Sequence, residues 1–399
     1  MSTYRAPLRV LVCGGAIAGP AIAFWLARAG HTVTIVEQSA TLRGGGHAVD
    51  FRGPSLTVLE KMGVLPQVRA QATNMGPTIR VDAQGKEIAR LPAEVTGGEL
   101  EIVWSDLVRI LHDTVRGDVR YRFGVRITHI ADLGEHVDVV LSDGSAGSYD
   151  FVVGADGLHS GVRSLVFGPE SELVAQLGRI FCLFSVENHL KLDHLSMDYR
   201  TPDGRVVLQG DDPDKPARAN LWLIEPDVSG FDHRDAQKAK QLFAERFADG
   251  GWETPRILEA LAAADPVYFD TLAQVRLTEY SKGRVVLLGD AAWCASPRSG
   301  MGTSLAIVGA YVLAHELLRA NGDHVAAFAR YQQLLKPYVE RCQRLALDGI
   351  RADTPTTAFG RFKRRLTLWS LRLPGVSERV ARQSLAVGRS FALPEYSGF

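Results

Sequence analysis

The chain has 399 residues, 46% hydrophobic and 23% charged, an ordinary globular composition with core enough for two or three domains. Its 45 basic and 45 acidic residues cancel, so no global field draws it to nucleic acid. The sequence has no apolar run long enough for a membrane span, and "MSTYRAPLRV" lacks a signal peptide's apolar region; with Cys13, Cys182, Cys294 and Cys342 far apart, a reducing cytoplasm, no stable membrane anchor and no metal site are expected.

The first elements form one unit. "RVLVC" (9–13) is a short β-branched run suited to a buried parallel strand. "AIAFWLARAG" (21–30) has helical spacing and a glycine stop, and "HTVTIVE" (31–37) is a second strand that ends in Glu37. Between strand and helix lie Gly14, Ala16 and Gly19, a dinucleotide fingerprint with alanine in place of its second glycine. Ala16 adds one methyl and leaves room for a pyrophosphate. Glu37 can accept from ribose hydroxyls and repels a ribose phosphate, which favours NAD or FAD over NADP. A plain βαβ unit with a glycine turn is the alternative.

Further along, "GGGHAVDFRG" (44–53) contains Asp50, and "TIRVDAQGKEIARL" (78–91) reads as strand, turn and strand. "EIVWSDLVRIL" (101–111) opens a helix at Trp104. "YDFVVGADGLHSGVRSLVFG" (149–168) is a buried strand broken by glycines, after which Asp156 and Ser160 suit a helix start. From Cys182 to Asp227 apolar and polar residues alternate between turn signals, as in antiparallel strands. "RDAQKAKQLFAERFADGG" (234–251) is an amphipathic helix.

"GRVVLLGDAAWCASPRSGMGTSLAIVGAYVLAHELL" (283–318) repeats the strand–loop–helix theme. Its strand delivers Asp290 at the carboxyl end, where open parallel sheets bind ligands. The loop from Pro297 runs through Gly300 and Met301 to Gly302, whose N–H groups are expected to point outward from a helix start. Asp290 either takes hydrogen bonds from a ligand's hydroxyls or caps the helix that follows. The basic tail from Arg351 includes "FGRFKRRLTLWSLRL" (359–373), a helix clamping two domains or one that touches an anionic membrane surface.

These three glycine motifs, in this order, resemble the aromatic-hydroxylase family of flavoprotein monooxygenases, and "LPEYSGF" resembles the end of members related to tetracycline-inactivating enzymes. The resemblance implies FAD as cofactor and NADPH or NADH as electron donor. It places Gly14, Ala16, Gly19 and Glu37 at the adenosine side, and Asp156 in a segment serving both FAD and the donor. Asp290 falls at the ribityl or pyrophosphate groups, Gly300 to Gly302 at the flavin's pyrimidine edge, Asp50 near the flavin and Pro297 on the oxygen-transfer side. Trp104 stands where the family usually has an FAD-contacting arginine, with Arg109 further along the helix. Trp293 and Ala295 replace a common histidine and proline. Simple packing is the alternative for both tryptophans.

The implied fold is α/β: a discontinuous Rossmann-like FAD-binding domain (1–75, 97–174 and 275–350), an antiparallel β-sheet substrate domain (76–96 and 175–274) and a C-terminal helical segment (351–399). The implied activity is transfer of oxygen from O2 to an aromatic or polyketide-like small molecule, with no proton-transfer residue assignable. Dehydrogenation without oxygen transfer, or sequestration of a drug-like ligand by a non-catalytic flavoprotein, are the alternatives. His112, His129, His136, His189 and His194 show no metal spacing, and no serine-hydrolase elbow is present.

Overall fold

The computed structural model describes residues 7–353, except 43, 46 and 94–96, together with 376, 379 and 385–396. Two sheets dominate it. The first has six strands, in the order Ser281–Lys282, Val285–Leu287, Phe151–Gly154, Arg9–Cys13, Thr32–Glu37 and Arg120–Phe123. All its pairings are parallel except that of the edge strand Ser281–Lys282. Its central strands are almost wholly buried, which explains their continuous apolar runs. Helix Gly302–Arg319 packs on helix Ala18–Arg28 and is buried nearly all round.

The second sheet has seven strands: Tyr268–Val275, Val174–Val186, Ala217–Ile224, Gly204–Gly210, Leu195–Arg200, Thr78–Val81 and Glu87–Leu91. The expected antiparallel pairing holds except between Leu195–Arg200 and Thr78–Val81, which run parallel. That pair joins distant chain segments, so no hairpin forces the antiparallel sense. One face packs Ile180, Phe184 and Leu221 against Phe243 and Ile257 of helices Ala236–Arg246 and Thr254–Ala263. The other face holds Phe181, Leu183 and Leu272.

A two-stranded ribbon pairs Ala48–Phe51 with Leu100–Val103 and leads into helix Trp104–Val115. Helix His324–Asp353 follows the long buried helix. The chain then returns at 385–396. There the Gly388 carbonyl accepts from Tyr338 Oη at 3.0 Å, Arg389 pairs with Glu99 at 2.9 Å, and Tyr396 Oη donates to Glu316 at 2.7 Å. The amphipathic stretch 359–373 lies outside the described residues. The four cysteines are buried thiols. No helix among the described residues is long and apolar enough to cross a membrane.

Candidate active site

The first motif is built by contact. Gly14 has φ +108°, and a Cβ there would lie 2.3 Å from the Ala155 carbonyl oxygen. A Cβ on Gly19 would lie 1.8 Å from the Gly14 oxygen, so the last glycine lets the helix press onto the turn. Ala16 is half-buried just ahead of helix Ala18–Arg28, and no side chain caps that helix. The Glu37 carboxylate accepts from the N–H of Gly15 and of Ser39, each at 2.8 Å, so one oxygen faces the turn and the other its own strand's exit.

The middle and late motifs meet through Arg163, which is fully buried. Its guanidinium donates to the carbonyls of Leu158 at 2.6 Å and Ala291 at 3.2 Å, tying "GADG" to "GDAA". Asp156 accepts from Ser160 Oγ and from the Val162 N–H at 3.1 Å, while Ser160 accepts from the Arg163 N–H. Asp156 therefore organises the start of helix Gly161–Val166.

Asp290 does not cap its own short helix, whose N-cap is Gly289. Burial raises its carboxyl, a bond from Cys294 lowers it and the nearby charge of Asp270 raises it again. The residue nevertheless remains exposed to solvent. A Cβ on Gly302 would lie 3.6 Å from its Oδ1. The expected row of three outward N–H groups is corrected to one. Pro297–Ser299 forms a 3-10 turn, so the Gly300 N–H bonds the Pro297 carbonyl at 3.1 Å and the Met301 N–H bonds Ser299 Oγ at 3.1 Å. Of the three, the Gly302 N–H at the start of the long helix meets no acceptor among the described residues, and no side chain caps that helix. Pro297 is exposed, whereas Met301 is fully buried.

Asp50 sits on the ribbon near this loop. Its Oδ1 accepts from the Gly98 N–H at 2.8 Å, its Oδ2 lies 3.4 Å from the Arg52 guanidinium, and a Cβ on Gly300 would come within 3.1 Å of that guanidinium. The structure thus gathers Asp50, Gly300, Met301, Gly302 and Asp290 at one end, and Gly14, Ala16, Gly19 and Glu37 at the other.

The seven-stranded sheet supplies the facing wall. Strand register places Asp270, Phe181, Trp222 and Arg205 in one row across four strands. Phe181 stacks on Trp222 with ring centroids 5.4 Å apart, and the Arg205 guanidinium lies 4.7 Å above the Trp222 ring. Burial lowers Arg205 to about 10, against the nearby carboxylates of Asp198 and Asp353. Tyr268, two residues before Asp270 on the same face, is 42% exposed, with its ring 5.8 Å from Phe181 and 6.3 Å from His47.

Residues 7–352 match the family model described as FAD binding domain. The chain is 36% identical over 344 residues to a flavin-dependent monooxygenase of Legionella longbeachae, covering 85% of this chain and 88% of that one. It is 31% identical over 430 residues to the FAD-dependent monooxygenase asL4 of Sarocladium schorii, at 98% coverage of both. The chain belongs to this family of FAD-dependent monooxygenases. The crystal structure of tetracycline destructase Tet(55) superposes with a TM-score of 0.84 at 34% identity, covering 99% of this chain and 100% of that one.

FAD is therefore the family cofactor, and the residues present fit it. The turn ends at an uncapped helix N-terminus, which suits a pyrophosphate. The accessible carboxylate of Asp290 beside the free N–H of Gly302 offers one acceptor and one donor to a polar chain and a ring edge. The departures from the family pattern resolve differently. Trp293 is 1% exposed and packs on Tyr280 at 5.0 Å and Tyr331 at 5.6 Å, which is core packing. Trp104 is half-buried against the core around the six-stranded sheet, and its backbone N–H donates to the His47 carbonyl at 2.9 Å. Arg109 does not stand in for an FAD-contacting arginine: it is largely exposed and paired with Asp106.

Sequence reading missed Gly15, Arg163, Tyr268, Asp270 and the Trp222–Arg205 stack. Gly15 had a visible signal, since a glycine pair beside a strand-end acid leaves backbone room for that acid. Arg163 acts through carbonyls far off in the chain and in its own loop, and the remaining residues depend on strand register; no local pattern carries either.

Proposed function

We propose that this monooxygenase draws electrons from NADPH or NADH and inserts one atom of O2 into a hydroxylated aromatic or polyketide-like substrate. The observation that carries the reading is the row Asp270, Phe181, Trp222 and Arg205 on the sheet face, with Tyr268 beside it. Stacked aromatic faces accept a planar ring, and the guanidinium above Trp222 favours an oxygen-rich or anionic edge.

Bound FAD, once reduced, supplies the activation of oxygen. The chain's own residues bind and orient. The helix at Ala18 and the turn at Gly14 and Ala16 would hold the pyrophosphate, and Glu37 the adenosine ribose. Asp290 would accept from ribityl hydroxyls. Gly302 would donate its N–H to the pyrimidine edge, with Asp50 and Gly300 beside it. Asp156 acts from behind by setting the helix that carries Arg163. Trp222 and Phe181 would orient the substrate and exclude water.

The test is a panel of phenols and polyketide fragments assayed for stimulated NAD(P)H oxidation under labelled oxygen. Label in the product supports the reading. Stimulated oxidation that yields a dehydrogenated, unlabelled product replaces it with a dehydrogenase.

A further inference from the structure

The ribbon beside the late loop carries more acid than base. Asp50 and Glu101 lie opposite each other on strands Ala48–Phe51 and Leu100–Val103, so both side chains leave the same face. Asp50 is held on both oxygens: Oδ1 accepts from the Gly98 N–H at 2.8 Å, and Oδ2 lies 3.4 Å from the Arg52 guanidinium. A Cβ on Gly300 would lie 3.4 Å from the same Oδ2, so this carboxylate looks onto the loop that leads to Gly302. Glu101 accepts from Thr73 Oγ1 at 2.6 Å through Oε1, and its Oε2 meets no donor among the described residues. The Asp50 side chain is 18% exposed and Glu101 is half-buried, so water reaches the pair.

The neighbouring charges leave this pair unbalanced. Arg218 and Asp211 form an ion pair at 2.8 Å, and both of their charges reach Glu101. Glu99 is paired with Arg389, and Tyr338 and Cys342, both raised by burial, face Arg52 uncharged. Among the described residues the carboxylates of Asp50, Glu101 and Asp211 therefore stand against the guanidiniums of Arg52 and Arg218, and a single proton balances them.

Resting on the cofactor placement above, in which Asp50 and Gly300 stand beside the flavin's pyrimidine edge, we propose that Glu101 is a positioning residue for flavin reduction: acting through Asp50, it takes up a proton as the ring takes up electrons, and so sets the reduction potential of the bound cofactor. A hydride from the nicotinamide donor carries two electrons and one proton to the ring, which is left with one negative charge at its pyrimidine edge. A further proton from water then forms an O–H bond on Glu101, and the net charge of ring and ribbon returns to its starting value. When the ring is oxidised again, that O–H bond breaks and the proton goes back to water. The donor is the one reductant the step needs.

The surroundings of the two acids place the proton on Glu101. Burial, and then the charge of Asp50, raise its carboxyl to about 7, while the bond from Thr73 and the charge of Arg218 lower it. Burial raises Asp50 too, but Arg52 and the Gly98 N–H hold its charged form. A negative charge arriving beside the pair raises Glu101 further. Glu101 is thus protonated in both redox states well below pH 7 and in neither well above it, and between these limits reduction draws the proton in.

The experiment measures the midpoint potential of the FAD-loaded protein against pH, by anaerobic dithionite titration with reference dyes. Glutamine keeps an acceptor for Thr73 and stands for the permanently protonated acid. Glu101→Gln is expected to match the wild type at about pH 6 and to favour the reduced form about tenfold over it at about pH 9, where only the wild type keeps the extra charge. The ring's own titration is common to both proteins and cancels in the comparison. Thr73→Val removes a bond that favours the charged acid, so the pH at which wild type and Glu101→Gln diverge is expected to move upward in its background, a shift that looser packing does not produce. Reduced-minus-oxidised infrared spectra at about pH 7.5 are expected to show a protonated-carboxyl band in the wild type that Glu101→Gln lacks. Asp50→Asn tests the placement itself, since it keeps the acceptor for Gly98 and removes the charge next to the loop. If Asp50→Asn changes the potential and Glu101→Gln leaves it unchanged at every pH, the proposal is overturned and the placement stands. If neither variant changes it, the ring lies elsewhere and both fall.

Discussion

Asp50 and Glu101 are cross-strand partners on the ribbon Ala48–Phe51 and Leu100–Val103, two carboxylates placed directly opposite one another beside the late loop. Burial and then the charge of Asp50 raise Glu101 to about 7, while Thr73 Oγ1 donates to it at 2.6 Å. An acid whose pKa is raised by folding binds more protons in the native than in the unfolded state. Its contribution to stability therefore falls as pH rises from the ordinary glutamate value of 4.5 through about 7. Glu101→Gln is expected to flatten the decline in apo-protein Tm over that window and to raise Tm by a few degrees at pH 8. Parallel Tm–pH curves for the two proteins would refute the assignment.

Asp290 makes no cap for its own helix, and burial raises its carboxyl. Asp290→Asn should leave the apo Tm at neutral pH unchanged or higher, because a carboxylate whose charge its surroundings, Asp270 among them, disfavour is removed. If the carboxylate accepts ribityl hydroxyls, FAD binding should weaken about tenfold, since a bond to a charged group exceeds a neutral one by roughly that much. Titration by flavin fluorescence alongside melting of the apo-protein measures both. Wild-type affinity would remove Asp290 from the cofactor site.

Gly14 and Gly302 should separate folding from binding. Gly14→Ala drives a methyl into the Ala155 carbonyl at positive φ, and is expected to cost about 3 kcal/mol or more. Gly302→Ala meets nothing closer than 3.6 Å and begins a helix, where alanine is favoured by up to about 1 kcal/mol. It should fold well and bind FAD more weakly because its methyl crowds the N–H. Denaturant curves and FAD titrations check the pair; loss of FAD with full stability in Gly14→Ala would contradict the packing argument.

Trp293 fills the space between Tyr280, Tyr331 and Gly309. Trp293→His, which installs the residue common in the family, should cost about 3 kcal/mol through lost packing while FAD affinity stays near wild type. Improved FAD binding with unchanged stability would mean that the tryptophan displaces a cofactor contact.

Residues adjacent in sequence were legible, and residues joined by register were not. The βαβ unit could be read because Gly14, Gly19 and Glu37 act within one short stretch. The parallel class followed from the unbroken apolar runs at Val10–Val12 and Val152–Val153. The late loop was misread because two of its three N–H groups turn inward to Pro297 and Ser299, a consequence of a 3-10 turn that composition does not announce. The substrate wall was invisible for a different reason. Phe181, Trp222, Arg205 and Asp270 come from four strands, and a one-residue slip would send each to the opposite face.

The return of the chain at Gly388 bears on how the protein is made. A Cβ on Gly53 would lie 2.3 Å from the Gly388 carbonyl oxygen, and one on Gly388 would lie 2.8 Å from the Arg52 Cβ. The ribbon end that carries Asp50 and Arg52 is therefore finished by residues that leave the ribosome long after it. Asp290 and Gly302 also emerge late, whereas the pyrophosphate turn is among the first segments translated. If the proposed cofactor site is right, the nascent chain can form its adenosine end early, but the flavin end is complete only once the far segments have docked.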